Sequence, residues 1–138
     1  MNNLNIEKII ATEVDEKQRL EMLPKYFGRI MMQVEAHIFG FMGRLCDGYN
    51  GGYWSFYELS NGGFYMSPAI EGKLSLVWPD NYFEGELSAD AAGIVACLFA
   101  YSHAACATHD EQVIQMYKYL REYIHFHPEA NLILRTID

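Results

Sequence analysis

Residues Ala89 to Ala107 are apolar nearly all round. A helix with no polar stripe has no face to give to water, so the rest of the chain must enclose it. Ser88-Ala89-Asp90 marks its start: the serine caps free amides and the aspartate complements the helix dipole. The most apolar part, Ala91 to Tyr101, is about half the ~20 residues that a membrane span needs, so the segment reads as a core helix. The start of the chain shows no basic region followed by an apolar run, which gives no signal peptide. With 138 residues, 51% of them apolar, the chain is expected to be one soluble, cytoplasmic domain with a real core.

The flanking segments show two different periods. Residues 1–14 have weak periodicity and read as a mobile N-terminal arm, leaving 15–138 as the single domain. Asp15 can cap a short helix that stops before Pro24, because the residue before a proline avoids the helical region. From Tyr26 to Leu45 apolar residues recur at three- and four-residue spacing, which predicts a second helix. The period then changes to two. Tyr53–Ser60 and Gly63–Ser67 read as aromatic strands, and Asn61-Gly62 between them is a hairpin signal for a type I′ turn with positive φ at both residues. Lys73–Trp78 is a third strand, Pro79-Asp80-Asn81 a turn, and Tyr82–Leu87 a fourth strand. Beyond the apolar helix, Thr108 or Asp110 caps another helix with a Val113, Tyr117, Leu120, Ile124 stripe, and Pro128 opens a last one over Glu129–Ile137. The expected fold is α+β: a single domain with a four-stranded antiparallel meander packed with helices from both ends of the chain.

Charge and motif remove several function classes. The net charge of −8, from 18 acids against 10 bases, disfavours direct nucleic-acid binding. It also falls short of DNA mimicry. A compact chain of this length is roughly 35–40 Å across, and duplex DNA of that length carries roughly 20 charges. The acids do not form a run either: Glu13, Asp15, Glu16 and Glu21 alternate with Lys17, Arg19 and Lys25. Asn-Gly-Gly occurs twice, at 50–52 and 61–63, but neither copy belongs to a GxxxxGK[ST] or GxGxxG loop, so both read as turns. Cys46, Cys97 and Cys106 lack catalytic context or a disulfide framework. Cys97 and Cys106 point to opposite sides of one helix. His103 and Cys106 share a face without a third ligand at zinc-like spacing, and His125 and His127 splay apart. His103 reads as a core or boundary histidine and His127 as a helix-terminal cation. No cofactor or metal is expected, and no residue demands enzyme chemistry.

The hairpin supplies the candidate site. Pairing about Asn61-Gly62 sets Leu59 opposite Phe64 and Tyr57 opposite Met66 on an apolar face. Glu58 then lies opposite Tyr65, with Trp54, Phe56 and Ser60 on the same side. A carboxylate among aromatics has two readings. It is a working acid whose pKa is raised by desolvation, or a structural acid satisfied by a tyrosine hydroxyl or backbone amides.

Longer strings carry a resemblance. Gly51-Gly52-Tyr53-Trp54, Phe56 through Met66 with Pro68, Leu87 through Ala96 with Leu98-Phe99-Ala100, and His127-Pro128-Glu129-Ala130 with Leu132-Ile133-Leu134 and Ile137-Asp138 resemble the signature of the ArdB/KlcA antirestriction family. Leu23-Pro24 and Phe27-Gly28 fit as well, so the resemblance spans residues 20–138 in order; residues 1–14 and Lys73–Trp78 match less well. It implies a small cytoplasmic α+β protein of plasmids and other mobile DNA that protects incoming DNA from type I restriction. Such proteins are distinct from the acidic DNA mimics, and the resemblance carries no catalytic residues to this chain. The expected partner is the type I restriction–modification complex or a host factor acting with it, with no direct nucleic acid and no membrane. Tyr53, Trp54, Phe56, Glu58 and Tyr65 are the expected partner-binding residues, since Trp and Tyr dominate binding hot spots. The alternative is a small enzyme or ligand-binding module that uses Glu58 in an aromatic pocket.

Overall fold

The computed structural model describes residues 7–138. In chain order the elements are β1 (Ala11–Glu13), α1 (Arg19–Phe27), α2 (Met31–Leu45), β2 (Trp54–Leu59), β3 (Phe64–Pro68), β4 (Lys73–Trp78), β5 (Phe83–Ser88), α3 (Ala89–Thr108), α4 (Glu111–Ile124) and α5 (Ala130–Ile137). The class is α+β, as expected. α3 is the central helix. Every residue from Ala91 to Leu98 is buried, and Ser88 caps it by accepting from the Ala91 N–H at 3.1 Å. By length and composition α3 could cross a membrane, but 61% of its apolar window is buried inside the protein, which marks it as a core helix.

The strands do not form one meander. Among the described residues β1, β2 and β3 make a three-stranded antiparallel sheet, and β4 pairs with β5 alone in a separate hairpin. The reason lies at the outer edge of β3, where α3 stands in the place of a fourth strand. The Tyr101 hydroxyl donates to the Phe64 carbonyl at 2.5 Å and the Cys97 thiol to the Met66 carbonyl at 3.5 Å. Phe64 and Met66 are two apart, so both carbonyls face the same edge. Gly93, Cys97 and Tyr101 are four apart, so one helical stripe runs along that edge. Burial pushes the Cys97 thiol up to about 12 and the Tyr101 hydroxyl well above its ordinary range, so both stay protonated as donors. Gly93 sets the approach: a Cβ there would lie 2.4 Å from the Ser67 Cβ and 2.6 Å from the Met66 carbonyl oxygen.

The first hairpin is offset by one residue from expectation. The Leu59 carbonyl accepts from the Gly62 N–H at 3.0 Å, and the Leu59 N–H donates to the Gly63 carbonyl at 2.9 Å. The loop is therefore Ser60-Asn61-Gly62, a turn followed by a left-handed glycine, and Gly62 alone of the pair has positive φ, at 102°. Asn61 serves differently: its amide donates to the Tyr119 carbonyl at 3.0 Å and its oxygen accepts from the Gly63 N–H at 3.0 Å, tying the turn to α4. The pairs are Glu58 with Phe64, Tyr57 with Tyr65 and Phe56 with Met66.

Two N-terminal expectations also change. The first six residues of the expected arm lie outside the described residues, while Ala11–Glu13 pairs with Leu59, Glu58 and Tyr57 as an edge strand. α1 runs through Pro24 to Phe27, and the break before α2 falls at Gly28, whose φ is +54°. In the β4–β5 hairpin, Leu76, Trp78, Phe83 and Leu87 face the core, and the loop closes through Tyr82, left-handed at φ 52°.

Gly93→Ala forces β3 backbone and helix apart and is expected to destabilise the fold by about 3 kcal/mol or more, at the upper end of overpacking costs. Urea unfolding checks it; a loss below about 1 kcal/mol contradicts the close docking of α3. Gly62→Val places a β-branched residue at positive φ, with its Cβ 3.3 Å from the Tyr119 ring. It is expected to lower the melting temperature through about 1–2 kcal/mol of backbone strain.

Candidate functional site

The two faces of the first hairpin do different work. On the face toward α1 and α2, Trp54 and Phe56 are buried. Arg19 lies over them: its guanidinium donates to the Trp54 carbonyl at 2.6 Å and stands 4.2 Å from the Phe56 ring centre and 4.3 Å from that of Tyr53. The Trp54 indole N–H donates to the Tyr49 hydroxyl at 2.8 Å, and Phe39 packs edge-on against the indole. Tyr53 is 52% exposed and Phe39 38%; the Tyr53 hydroxyl donates to Glu16 at 3.1 Å.

Glu58 shares that face and is half-buried. It accepts from the Lys25 ammonium at 2.8 Å and from the Tyr26 hydroxyl. The bond from Lys25, then that from Tyr26, holds its carboxyl below the usual range, although desolvation opposes them. This corrects the working-acid expectation of a raised pKa, because Glu58 lies beside a cation rather than in a dry pocket. Burial, and then the bond to Glu58, pushes the Tyr26 hydroxyl up to about 12, so it keeps donating at neutral pH.

Tyr65 lies on the opposite face, not beside Glu58. It is buried and stacked between Tyr57 and Tyr123 at ring separations of 4.9 and 5.9 Å. Its hydroxyl donates to Asp90 Oδ1 at 2.7 Å, and burial, then the Asp90 charge, pushes it far above its ordinary range. The other Asp90 oxygen faces His127 Nε2 at 2.7 Å. Because His127 Nδ1 accepts from the Glu129 N–H at 3.0 Å, the ring proton sits on Nε2 and points at Asp90. Glu129 in turn accepts from the Ser88 N–H at 2.9 Å and the Ser88 hydroxyl at 2.5 Å. One chain of hydrogen bonds thus joins β3, the start of α3 and the α4–α5 turn. His127 is a buried network member, where a helix-terminal cation was expected. The sequence showed Asp90 only as a dipole partner; no local pattern links it to Tyr65 or His127, which lie 25 and 37 residues away.

Tyr53, Trp54, Phe56, Glu58 and Tyr65 therefore do not line one pocket. Among the described residues no group of three or more His, Cys, Asp or Glu side chains could hold a metal ion. His103 is exposed, with its ring 4.5 Å from that of His37. Phe56, with Arg19, lines a cleft of about 320 Å³ between α1 and α2 beside Leu20, Leu23 and Met32. A larger one of about 850 Å³ runs beside Ser60, Asn61 and Phe126.

Known proteins resemble this chain along most of its length. A family profile described as "Antirestriction protein" matches residues 47–138. An antirestriction protein KlcA of Escherichia coli is 51% identical over 138 aligned residues, covering 94% of each chain. The uncharacterized protein YafX of E. coli K12 is 47% identical, covering 95% of this chain and 89% of its own. A solved structure superposes with a TM-score of 0.90 at 48% identity, covering 98% of this chain and 100% of that one. It is described as showing for KlcA and ArdB proteins a novel fold and antirestriction activity against type I DNA restriction systems in vivo but not in vitro.

The Glu58 pairing has a pH signature. A carboxyl held below its usual range stabilises the fold above its unfolded pKa, and this contribution is lost as pH falls through the lower folded value. Lys25, held above its usual range by the same bond, contributes below its unfolded pKa and loses that contribution as pH rises past its folded one. Glu58→Gln, which can still accept from Tyr26, is expected to cost about 1 kcal/mol at pH 7. The deficit should shrink as pH falls below the ordinary glutamate range and through the lower folded value. Chemical denaturation of both proteins across pH 3–8 checks it; a pH-independent deficit contradicts the pairing.

Proposed function

The chain belongs to the antirestriction protein family, and from that membership we propose that it lowers type I restriction of incoming unmodified DNA by contacting a protein in the cytoplasm of its host. The observation that carries this reading is the solved relative that matches 98% of the chain and is described as active against type I systems in vivo but not in vitro. Activity that needs the cell fits a protein that acts through a cellular component, either a host factor or the restriction–modification complex in its cellular state. It fits poorly with a decoy that competes for DNA-binding sites, which purified components would reveal.

The electrostatics support the same choice. The net charge of −8 already counts every lysine and arginine, and it falls well short of the roughly 20 charges on duplex DNA of the protein's length. Glu58 and Asp138 are held in pairs with Lys25 and Arg121 at 2.8 and 3.3 Å, so neither stands as an isolated anion. Carriage on plasmids or other mobile DNA belongs to this proposal as well. Within it, Trp54, Phe56 and Tyr65 serve as framework, and Tyr53 and Glu58 are the members of the expected set with surface to offer. No step of this reading needs catalysis.

Expression in cells with an active type I system tests it. Plating of unmodified phage should rise clearly above the empty-vector level while progeny DNA still becomes modified. Unchanged plating at good expression sinks the reading. With purified components, steep salt-dependent displacement of the restriction enzyme from DNA would instead establish charge mimicry.

A further inference from the structure

The β4–β5 hairpin turns one face to the core and leaves the other bare. Lys73, Ser75, Val77, Glu84 and Glu86 are all exposed on that face. Val77 lies opposite Glu84 and Ser75 opposite Glu86, so neither acid has a cross-strand base. Among the described residues, Asp80, Glu84 and Glu86 take part in no ion pair. Residues 71–86 carry four acids against one lysine.

At the tip stands Tyr82, 97% exposed, with Val77 nearby at 44%. A tyrosine so exposed gives almost nothing to the fold. Its backbone is left-handed at φ 52°, ψ 35°, where glycine or asparagine is favoured and a large side chain is not. Neither packing nor turn geometry accounts for an aromatic there, and both favour another residue. Arg135 borders the same cleft as Tyr82 with its guanidinium 5.5 Å from the Phe83 ring, but acids outnumber bases on the hairpin. An aromatic presented in full on a hairpin with an apolar residue and an excess of acids has the composition of a binding hot spot. That excess also selects its occupant. Nucleic acid and anionic membrane surfaces are repelled by it, and a cationic protein surface is attracted.

We propose that the outer face of the β4–β5 hairpin docks onto a basic protein surface, with Tyr82 entering a cleft there and Asp80, Glu84 and Glu86 facing the cations around it. This rests on the reading that the protein acts through a protein partner, and it names the surface used.

Three variants in restricting cells test it: Tyr82→Asn, Tyr82→Phe, and Glu84→Lys combined with Glu86→Lys. Tyr82→Asn should melt at or above the wild-type temperature, because asparagine suits the left-handed turn, yet lose antirestriction by about tenfold or more, as hot-spot truncation does. Tyr82→Phe should keep activity, and the charge reversal should lose it without unfolding. Full activity of Tyr82→Asn overturns the inference, as does a loss of activity that merely follows a lowered melting temperature. A benzophenone side chain in place of Tyr82, compared in cells with one in place of Ile114, gives a readout separate from phage survival. A protein adduct specific to position 82, mapped to a lysine- or arginine-rich peptide and lost in the charge reversal, supports the docking. A nucleic-acid adduct, an adduct to a second copy of this chain, or labelling no stronger than at position 114 overturns it. Wild-type protein that fails to protect phage removes the antirestriction reading alone, because the crosslink judges the surface independently.

Discussion

The structure depends on a helix lying against the edge of a sheet. A sheet edge presents unpaired carbonyls and amides that must find partners. At the outer edge of β3 those carbonyls take the Tyr101 hydroxyl and the Cys97 thiol. The bonds form because Gly93 lets α3 come within contact of the strand backbone. Much else follows from that placement. With the edge occupied, β4 cannot extend the sheet and pairs with β5 alone. The separate hairpin then has one face for the core and one for solvent. The same docking puts the start of α3 beside the opposite face of the sheet, where Asp90 meets Tyr65 and His127.

Much of this was legible in the sequence. The apolar run from Ala91 to Tyr101 announced the central helix, Ser88 and Asp110 act as caps, and Lys73–Trp78 is the strand its alternation indicated. What could not be read was decided by partners far along the chain. Asn-Gly suits both two- and three-residue loops, and Asn61 settles the register by reaching Tyr119 and Glu122 on α4. Pro24 looked like a stop, but Gly28 with its positive φ is the break. The alternation in each strand was visible; which edge a helix would cover was not.

The candidate site shows the same limit from another side. Aromatic side chains look alike in sequence whether they fill a core or an interface. Trp54, Phe56 and Tyr65 turned out buried, and Glu58 found Tyr26 and Lys25 rather than Tyr65. Tyr82, read only as the start of a strand, is far more exposed than any of these. Its signal was an aromatic directly after Pro-Asp-Asn, inside a turn that asks for a small or polar residue. A residue that disagrees with its local turn chemistry is more informative about function than one that agrees with its strand.

α3 has one more consequence, in the order of synthesis. A chain is made from its N-terminus, so α1, α2 and β1 to β5 precede α3, and α4 and α5 come after it. The most water-averse segment of the protein therefore leaves the ribosome into a cradle whose main walls, α2 and β3, already exist. A circular permutant that placed Ala89–Thr108 first would have the same native contacts. Its nascent chain, however, would carry a naked apolar helix, open to aggregation or to the membrane-insertion machinery, for as long as the rest took to arrive.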